Sequence, residues 1–261
     1  MGDYEYLKYD RDAGIAKIVL NRPDVLNAFH REMIDELVAA LSDAQSDDRV
    51  YVLILTGAGR GFCSGADVGG MGGRDRNRVD DAKHLWNVQN VVRHLYSGEK
   101  PTIAAVNGPA LGAGCDFTLA CDFRIMAEES YLRQQFINVG LVPGDGGAWL
   151  LPRLIGEAKA KEYILTGRDI TPEDAVDIGL AVDVVESSAL MERARDLAIE
   201  LREKPKVAMR RTKALIDMNQ SFEQYGKAAI DAQWDARMDP EHSEAVSAVR
   251  ENRLPDFDRD Y

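Results

Sequence analysis

Cysteine and histidine are scarce in this sequence. Three cysteines and four histidines occur among 261 residues, and no histidine is paired with a cysteine or another histidine at a metal-ligand spacing. An odd number of cysteines without the spacing of a disulfide framework is typical of a reducing compartment. The sequence therefore predicts no metal site and a cytoplasmic location.

The sequence also lacks the features of membrane and nucleic-acid proteins. It has no apolar run of about 18 residues, the length of a membrane-spanning helix, and no basic start followed by an apolar stretch, as in a signal peptide. With 32 basic against 44 acidic residues, the net charge is -12. That charge argues against nucleic acid or a membrane surface as a partner. An anionic small molecule held by a few local basic groups remains compatible with it.

Several nucleotide-binding and hydrolase motifs are incomplete. The glycine clusters at 57–61 and 112–114 begin like G-x-G-x-x-G, but Phe62 and Phe117 stand where the third glycine is required. No P-loop pattern occurs. Ser64 lies in Gly-Phe-Cys-Ser-Gly, which is not G-x-S-x-G. Rossmann, P-loop and serine-hydrolase assignments therefore receive no support.

The apolar pattern alternates between strand-like runs and helical spacing. Continuous apolar runs of strand length occur at residues 50–55 and 102–106, and helical spacing occurs at 29–41 and 82–96. Such alternation predicts βαβ units and a largely parallel sheet. From residue 156 onward the pattern is helical.

We divide the chain into an α/β core, residues 1–190, and a helical C-terminal region, residues 191–261, in which residues 205–237 are predicted to be helical. Because this tail has no obvious core of its own, we expect it to serve oligomerisation and to cover a ligand site. The charged segment 74–81 is predicted to be mobile. For Trp86 and Trp149, packing in the core is preferred to the alternative that they wall a ligand pocket.

Two loops of small residues follow the two buried strands. They are residues 61–68 and 105–116, and the second leads into a helix predicted to begin near Ala113. Ligands of parallel sheets bind at such strand ends, and small residues allow close approach to the backbone. Free N–H groups there could form an oxyanion hole. The simpler alternative is a pair of tight turns that use glycine for backbone geometry.

Nine short segments carry a common pattern: Asn21-Arg22-Pro23, Leu26-Asn27-Ala28, Phe62-Cys63-Ser64-Gly65-Ala66-Asp67, Ala105-Val106-Asn107-Gly108 with Ala110-Leu111-Gly112-Ala113-Gly114-Cys115-Asp116, Gly140-Leu141-Val142-Pro143, Gly146-Gly147, Leu151-Pro152-Arg153, Leu165-Thr166-Gly167 and Gly179-Leu180. In these segments the chain resembles the enoyl-CoA hydratase/isomerase (crotonase) superfamily, from about residue 12 to the C-terminus. The resemblance implies a spiral of ββα units with a helical trimerisation region. It further implies an acyl-CoA substrate, no separate cofactor because coenzyme A is part of the substrate, and a homotrimer or homohexamer.

The resemblance also assigns roles to individual residues. Ala66 and Ala113 would supply the two N–H donors to the thioester oxygen. Relatives usually have glycine in place of Ala113, so its methyl group fits this role only if φ is negative. The residues that would line the coenzyme A path are Leu26, Ala28, Ser64, Asp67 and Val68, with Arg250, Arg253 and Phe257 in the tail that can reach a neighbour's site.

The residues that would transfer protons depart from the pattern of the family's hydratases, which use two glutamates. Asp116 stands at the first of these positions, and Phe136, which cannot transfer a proton, at the second. Asp145 is the candidate to replace the second glutamate. It stands one residue beyond the place where several isomerases of the family carry an aspartate. The alternatives are that Asp145 caps the helix after Gly146 and that Asp116 is a helix-start carboxylate held by backbone N–H groups. An unpaired carboxyl group in this apolar setting should have a raised pKa.

Three hypotheses for the activity follow. The first is an acyl-CoA lyase or isomerase that stabilises an enolate at Ala66 and Ala113 and moves protons with Asp116, Asp145 or both. The second is another outcome of the same enolate, such as thioester or C–C bond hydrolysis or dehalogenation. The third is a non-catalytic acyl-CoA binder. Cys63 and Cys115 flank the expected site, and packing is preferred to nucleophilic catalysis for both.

Overall fold

The computed structural model describes residues 4–67, 78–218 and 222–257. The strands are β1 (Leu7–Asp12), β2 (Ile15–Leu20), β3 (Val52–Gly57), β4 (Thr102–Val106), β5 (Ala110–Leu111), β6 (Phe123–Ala127), β7 (Leu132–Arg133), β8 (Asp169–Ile170) and β9 (Asp183–Val185). The α-helices are α1 (Arg31–Ser46), α2 (Arg78–Tyr96), α3 (Ala113–Ala120), α4 (Gly147–Ile155), α5 (Glu157–Thr166), α6 (Pro172–Asp177), α7 (Leu190–Arg202), α8 (Lys206–Asp217), α9 (Phe222–Met238) and α10 (Pro240–Glu251).

The main sheet has six strands in the order β1-β2-β3-β4-β6-β9. Only β1 and β2 are antiparallel, and every other neighbouring pair is parallel. The first five residues of β3 and all of β4 are buried, as expected for apolar strands covered on both faces. The largely parallel sheet predicted from the alternation of elements is confirmed. The apolar pattern does not predict β1, because four of the six residues of this edge strand are charged and only Leu7 is buried.

The two faces of the sheet are covered by different helices. In β3, Leu53 and Leu55 point into a large apolar cluster with residues of α1, α2 and α3. Val52 and Ile54 point the other way, into a smaller cluster with residues of α7. This alternation follows from the two-residue period of a strand. Because β3 and β4 are parallel, the loops that follow them begin at the same edge of the sheet.

The C-terminal helices differ in how they pack. Helix α7 buries Leu190, Ala194, Leu197 and Ala198 against the sheet. Helices α8 and α9 contact each other, and α10 contacts α9. Helix α7 therefore packs as part of the α/β core. The predicted boundary at residue 190 places it in the C-terminal region instead. The division into a core and an oligomerisation region stays a prediction.

Two local expectations need correction. Helix α2 begins at Arg78, four residues before the predicted start, so the end of the charged segment predicted to be mobile is helical. The remainder of that segment, residues 74–77, lies outside the described residues. The helical stretch predicted at 205–237 is divided, because α8 ends at Asp217 and α9 begins at Phe222.

Candidate active site

The backbone of residues 63–67 runs between two neighbouring segments. On one side, the N–H and C=O of Cys63 bond to residues 109–111 at 3.2 and 2.8 Å. On the other side, the N–H and C=O of Phe29 bond at 2.9 Å to the residues that flank Ala66. In such a parallel bridge the flanked residue turns its own N–H away from the partner strand. The N–H of Ala66 is therefore directed away from Phe29.

Ala113 is the first residue of α3, after Gly112 with φ of 54°. The first N–H groups of a helix have no intrahelical acceptor and lie at its positive end. Ala113 is not among the described residues with positive φ. Its methyl group is therefore compatible with the role of N–H donor, which requires a negative φ. A Cβ atom built on Gly65 would lie 3.8 Å from the nitrogen of Ala113. The segment carrying Ala66 therefore passes beside Ala113, as an oxyanion hole requires; the donor roles stay predictions.

Two asparagines hold the turn between β3 and this segment. The Nδ2 of buried Asn27 lies 2.8 to 3.1 Å from three carbonyl oxygens of residues 58–62. Asn107 accepts from the N–H of Gly57 at 3.0 Å and donates to the carbonyl of Gly61 at 3.1 Å. These side chains stabilise the loop that carries Ala66. In the sequence, both asparagines occur only as members of the family pattern. Each stands close to one of the loops of the site, and that position is the signal that could identify them.

Asp116 is completely buried on α3. Its Oδ1 accepts from the Nε2 of Gln134 at 2.6 Å, and its Oδ2 accepts from the N–H of Gly147 at 2.8 Å. The pKa of this carboxyl group is raised to about 8, chiefly by burial and to a lesser extent by the charge of Asp145, while the hydrogen bonds from Gln134 and Gly147 act in the opposite direction. The structure thus partly matches the alternative that backbone N–H groups satisfy Asp116, but its partners come from other elements and not from its own helix.

Asp145 lies in the loop before α4 and is half-buried. Burial raises its pKa to about 6. Within the described part of the chain its carboxylate makes no hydrogen bond or ion pair, and α4 has no side-chain cap. The capping alternative is therefore wrong. Because Asp145 loses its proton first and Asp116 later, the two carboxyl groups carry different charges near neutral pH, which is the arrangement of a base beside an acid.

The buried carboxyl group of Asp116 should make stability depend on pH. Its pKa of about 8 in the folded protein exceeds the usual aspartate value of about 4, so the native state binds the proton more tightly than the unfolded state. The free energy of unfolding then falls as pH rises from about 4 to 8, at up to about 1.4 kcal/mol per pH unit. Asp116→Asn removes this loss, since a neutral amide can still accept from Gly147.

We expect Asp116→Asn to gain about 2 kcal/mol relative to wild type between pH 5 and pH 7. Urea unfolding at the two pH values measures this difference. Asp196→Asn, at an exposed position on α7, is the matched control and should show no such gain. An equal difference at both pH values would mean that Asp116 is already ionised at pH 5.

Apolar groups surround this region. A Cβ atom built on Gly112 would lie 3.7 Å from the Cζ of Phe136, so the ring that replaces the second glutamate stands beside the start of α3. Leu85 of α2 is 3.4 Å from a Cβ atom built on Gly144, next to Asp145. Burial in this region raises the pKa values of Asp116 and Asp145.

The prediction that both tryptophans belong to the core is wrong. Trp86 is 58% exposed and Trp149 is 41% exposed. An arginine guanidinium stacks on each ring at 3.8 Å, Arg93 on Trp86 and Arg153 on Trp149. Long amphipathic side chains of this kind cover apolar rings at a surface.

The two cysteines near the site are buried thiols. Burial raises the pKa of Cys63 to about 12 and raises that of Cys115 above its usual range. Because the thiolate is the nucleophilic form, these shifts favour the packing role preferred for both residues.

The residues predicted to line the coenzyme A path are distributed as follows. Leu26 has φ of 52°. Its carbonyl oxygen accepts from the N–H of Ser64 at 2.9 Å, so Ala28 and Ser64 lie on neighbouring segments. Asp67 lies 3.5 Å from the guanidinium of Arg22. Val68 lies outside the described residues. Binding of coenzyme A by these residues stays a prediction.

The tail residues predicted to reach a neighbour's site lie in and after the last turn of α10. The guanidinium of Arg253 is paired with Glu244 and Glu251. Phe257 is buried and Arg250 is exposed. Their predicted contact with a neighbouring subunit's ligand stays a prediction.

The fold and the site define a class of protein: an α/β chain in which two loops that follow parallel strands pass beside each other, with two carboxyl groups of raised pKa on α3 and in the loop before α4. The enoyl-CoA hydratase/isomerase family model matches residues 10–260, and the chain belongs to this family. The fold prediction is therefore confirmed, as is the resemblance.

Several relatives match over about four fifths or more of both chains. The chain is 36% identical over 209 residues to a short-chain-enoyl-CoA hydratase of Clostridium acetobutylicum, covering 80% of this chain and 79% of the relative. It is 34% identical over 271 aligned positions to the 1,2-epoxyphenylacetyl-CoA isomerase of Escherichia coli, covering 97% and 98%. The crystal structure of an enoyl-CoA hydratase from Bacillus anthracis superposes with a TM-score of 0.91 at 32% identity, over 97% of this chain and 99% of that one. These names differ in reaction, so the family is shown and the reaction is not.

Proposed function

We propose that the protein is a cytoplasmic acyl-CoA isomerase that moves a carbon–carbon double bond along an enoyl-CoA thioester. The observation that carries this proposal is the half-buried carboxylate of Asp145, which has no hydrogen bond or ion pair among the residues that the structure describes, together with Phe136 in place of the second glutamate. Isomerisation needs one group that takes and returns a proton. Hydration needs, in addition, a group that holds and activates water.

The proposed steps use only residues of this chain. The Asp145 carboxylate takes a proton from C2 of a 3-enoyl-CoA, and the electron pair moves into the thioester, so the carbonyl oxygen becomes negative. The N–H groups of Ala66 and Ala113 stabilise that oxygen, at about 3–4 kcal/mol for each well-placed donor. A proton from Asp145 or Asp116 then bonds to C4, and the double bond lies between C2 and C3.

Product analysis in D2O tests this proposal. A 3-enoyl-CoA should give a 2-enoyl-CoA that has gained deuterium but no water. Release of free coenzyme A, or a gain of water from a 2-enoyl-CoA with no isomerisation at all, would contradict it. Mass spectrometry of the products, with a thiol assay for free coenzyme A, separates these outcomes.

Hydration is the second candidate, and the state of Asp116 is the observation in its favour. With pKa values of about 6 and about 8, Asp145 could activate a water molecule while protonated Asp116 supplies the proton to C2. Hydrolysis and dehalogenation use the same enolate, and an aspartyl ester trapped at Asp145 would favour the latter. Binding of acyl-CoA without any turnover would favour the non-catalytic alternative.

We further propose that the protein works as a homotrimer or homohexamer. Helix α9 exposes Ile230, Trp234 and Met238 by 71%, 61% and 55%, and their spacing of four residues places them on one face. A continuous exposed apolar face of this kind marks a surface that another protein covers. A neighbouring copy would cover it and could bring Arg253 and Phe257 to the coenzyme A.

Trp234→Asp should lower the oligomeric state, because it places a charge on the face to be buried. Sedimentation velocity at micromolar concentration measures the change against wild type. Ala158→Asp, which adds the same charge at an exposed position in the first turn of α5, is the control and should keep the wild-type assembly. A wild-type chain that sediments as a monomer would contradict the proposal.

A further inference from the structure

Gln134 is the partner of Asp116 and belongs to none of the predicted site residues. It lies just after β7, is 1% exposed, and its Nε2 donates to Asp116 Oδ1 at 2.6 Å. Its Oε1 is one of three buried side-chain polar atoms without a hydrogen-bond partner among the described residues. Buried polar atoms are nearly always paired, so an unpaired one at a candidate site requires an explanation.

We infer that Gln134 is a positioning residue that holds Asp116 in one place in both its ionised and its protonated form. The inference rests on the proposed function, in which Asp116 exchanges a proton during turnover. A carboxamide has a donor on one side and an acceptor on the other. Ionised Asp116 needs a donor opposite Oδ1, and protonated Asp116 needs an acceptor there.

The other contacts of Asp116 determine which of its two carboxyl oxygens carries the proton in the neutral form. Oδ2 accepts from the N–H of Gly147 at 2.8 Å, so the proton of the neutral form resides on Oδ1, opposite Gln134. A half-turn of the amide replaces Nε2 with Oε1 at that position. Asp116 then keeps its hydrogen bond, with donor and acceptor exchanged, and does not move.

The surroundings of Gln134 favour neither orientation. Its Nε2 also lies 3.4 Å from the sulfur of Cys115, a thiol that can accept weakly or donate weakly. The opposite atom of the amide has no partner, and turning the amide leaves one atom unpaired as before. The orientation is therefore set by Asp116 itself.

Few groups compete with Gln134 for control of Asp116. Asp145 is the one charged group of the described chain that affects the pKa of Asp116, and the charge of Asp145 raises that pKa. Gly147 contributes backbone only, and a Cβ atom there would lie 2.3 Å from Asp116 Oδ1 and 2.5 Å from Gln134 Oε1. The glycine thus leaves the space in which carboxyl and amide meet.

The test is the carboxyl titration of Asp116, followed by carbon-13 NMR and assigned with Asp116→Asn. Gln134→Met keeps the side-chain length but removes the hydrogen bond of the amide from both forms of Asp116. Because the bond to the ionised form is charge-assisted and therefore the stronger of the two, the midpoint should rise by about 1 pH unit. Gln134→Glu adds a like charge when ionised and should raise it further. Gln135→Met is the matched control, because this neighbouring glutamine contacts Arg133 and Asn138 instead, and should not shift the midpoint.

Steady-state kinetics provides the second readout. In Gln134→Met, kcat should fall about tenfold with little change in KM, and the part of the pH profile due to Asp116 should move to higher pH with the NMR midpoint. An unmoved midpoint in both Gln134 variants, or an equal shift in Gln135→Met, would overturn the inference. Because the titration needs no substrate, this result is independent of whether the isomerase proposal holds.

Discussion

Asp145→Asn is expected to lower kcat for isomerisation by about 10³-fold while leaving the affinity for a saturated acyl-CoA within about twofold. Asparagine has nearly the size of aspartate, but it cannot accept the proton from C2. In the described chain the Asp145 carboxylate has no hydrogen bond or ion pair, so the substitution disrupts no structural contact. Loss of rate should therefore not be accompanied by loss of fold.

Two measurements make this result specific. Calorimetric titration with a saturated acyl-CoA reports binding, and the rate of deuterium exchange at C2 reports proton abstraction alone. Asp196→Asn, at an exposed position on α7, controls for the loss of one negative charge and should keep wild-type turnover. Full activity in Asp145→Asn would remove this residue from the mechanism and leave Asp116 as the remaining carboxyl group.

The pH profile of the wild-type enzyme should reflect the same residue. Because burial raises the pKa of Asp145 to about 6, its basic form is present above that pH and is lost below it. The raised pKa of Asp116, about 8, keeps a second carboxyl group protonated at neutral pH. The activity of a base–acid pair is therefore expected to be greatest between these values.

The loops of the site could be predicted from the sequence because each follows a buried strand. Leu53 and Leu55 belong to a continuous apolar run, and parallel strands that are buried on both faces end at a common edge. That rule brings Ala66 and Ala113 together without any knowledge of side-chain contacts. It also predicts that α3 begins at the second of these residues.

The polar partners of the site could not be predicted, because their bonds join distant parts of the chain. Asn27 bonds to carbonyl groups more than 30 residues away, and Gln134 bonds to a carboxylate 18 residues away. Neither distance has a signature in local spacing. The capping role considered for Asp145 failed for the opposite reason: the local pattern allowed it, but the side chain does not bond to the helix start.

Gly114→Ala is the second substitution with a large expected effect, since it acts on the geometry of the oxyanion hole. A Cβ atom on Gly114 would lie 2.2 Å from the carbonyl oxygen of Cys63 and 2.7 Å from its Cβ. Neither atom is the end of a flexible side chain, so α3 and the segment carrying Ala66 must move apart. We expect a loss of about 2 kcal/mol in the free energy of unfolding from overpacking.

The expected loss of activity in Gly114→Ala is larger than the loss of stability would suggest. Moving one oxyanion donor out of place costs about 10²–10³ in kcat, and a displacement of about 1 Å is enough. We therefore expect kcat to fall at least about a hundredfold in the folded variant. Urea unfolding and kcat, measured at a temperature where the variant is fully folded, separate the two effects.

Gly226→Ala is the matched control for this variant. Gly226 lies in α9, its φ is not positive, and nothing stands within 4 Å of an added Cβ atom. Alanine should therefore stabilise the helix by up to about 1 kcal/mol and leave kcat unchanged. If Gly114→Ala kept its full kcat as well, the amides of Ala66 and Ala113 could move apart without consequence, and they could not be the two donors to one oxygen. Because the proton transfers assigned to Asp145 and Asp116 presuppose a stabilised enolate, that result would remove the basis for both assignments.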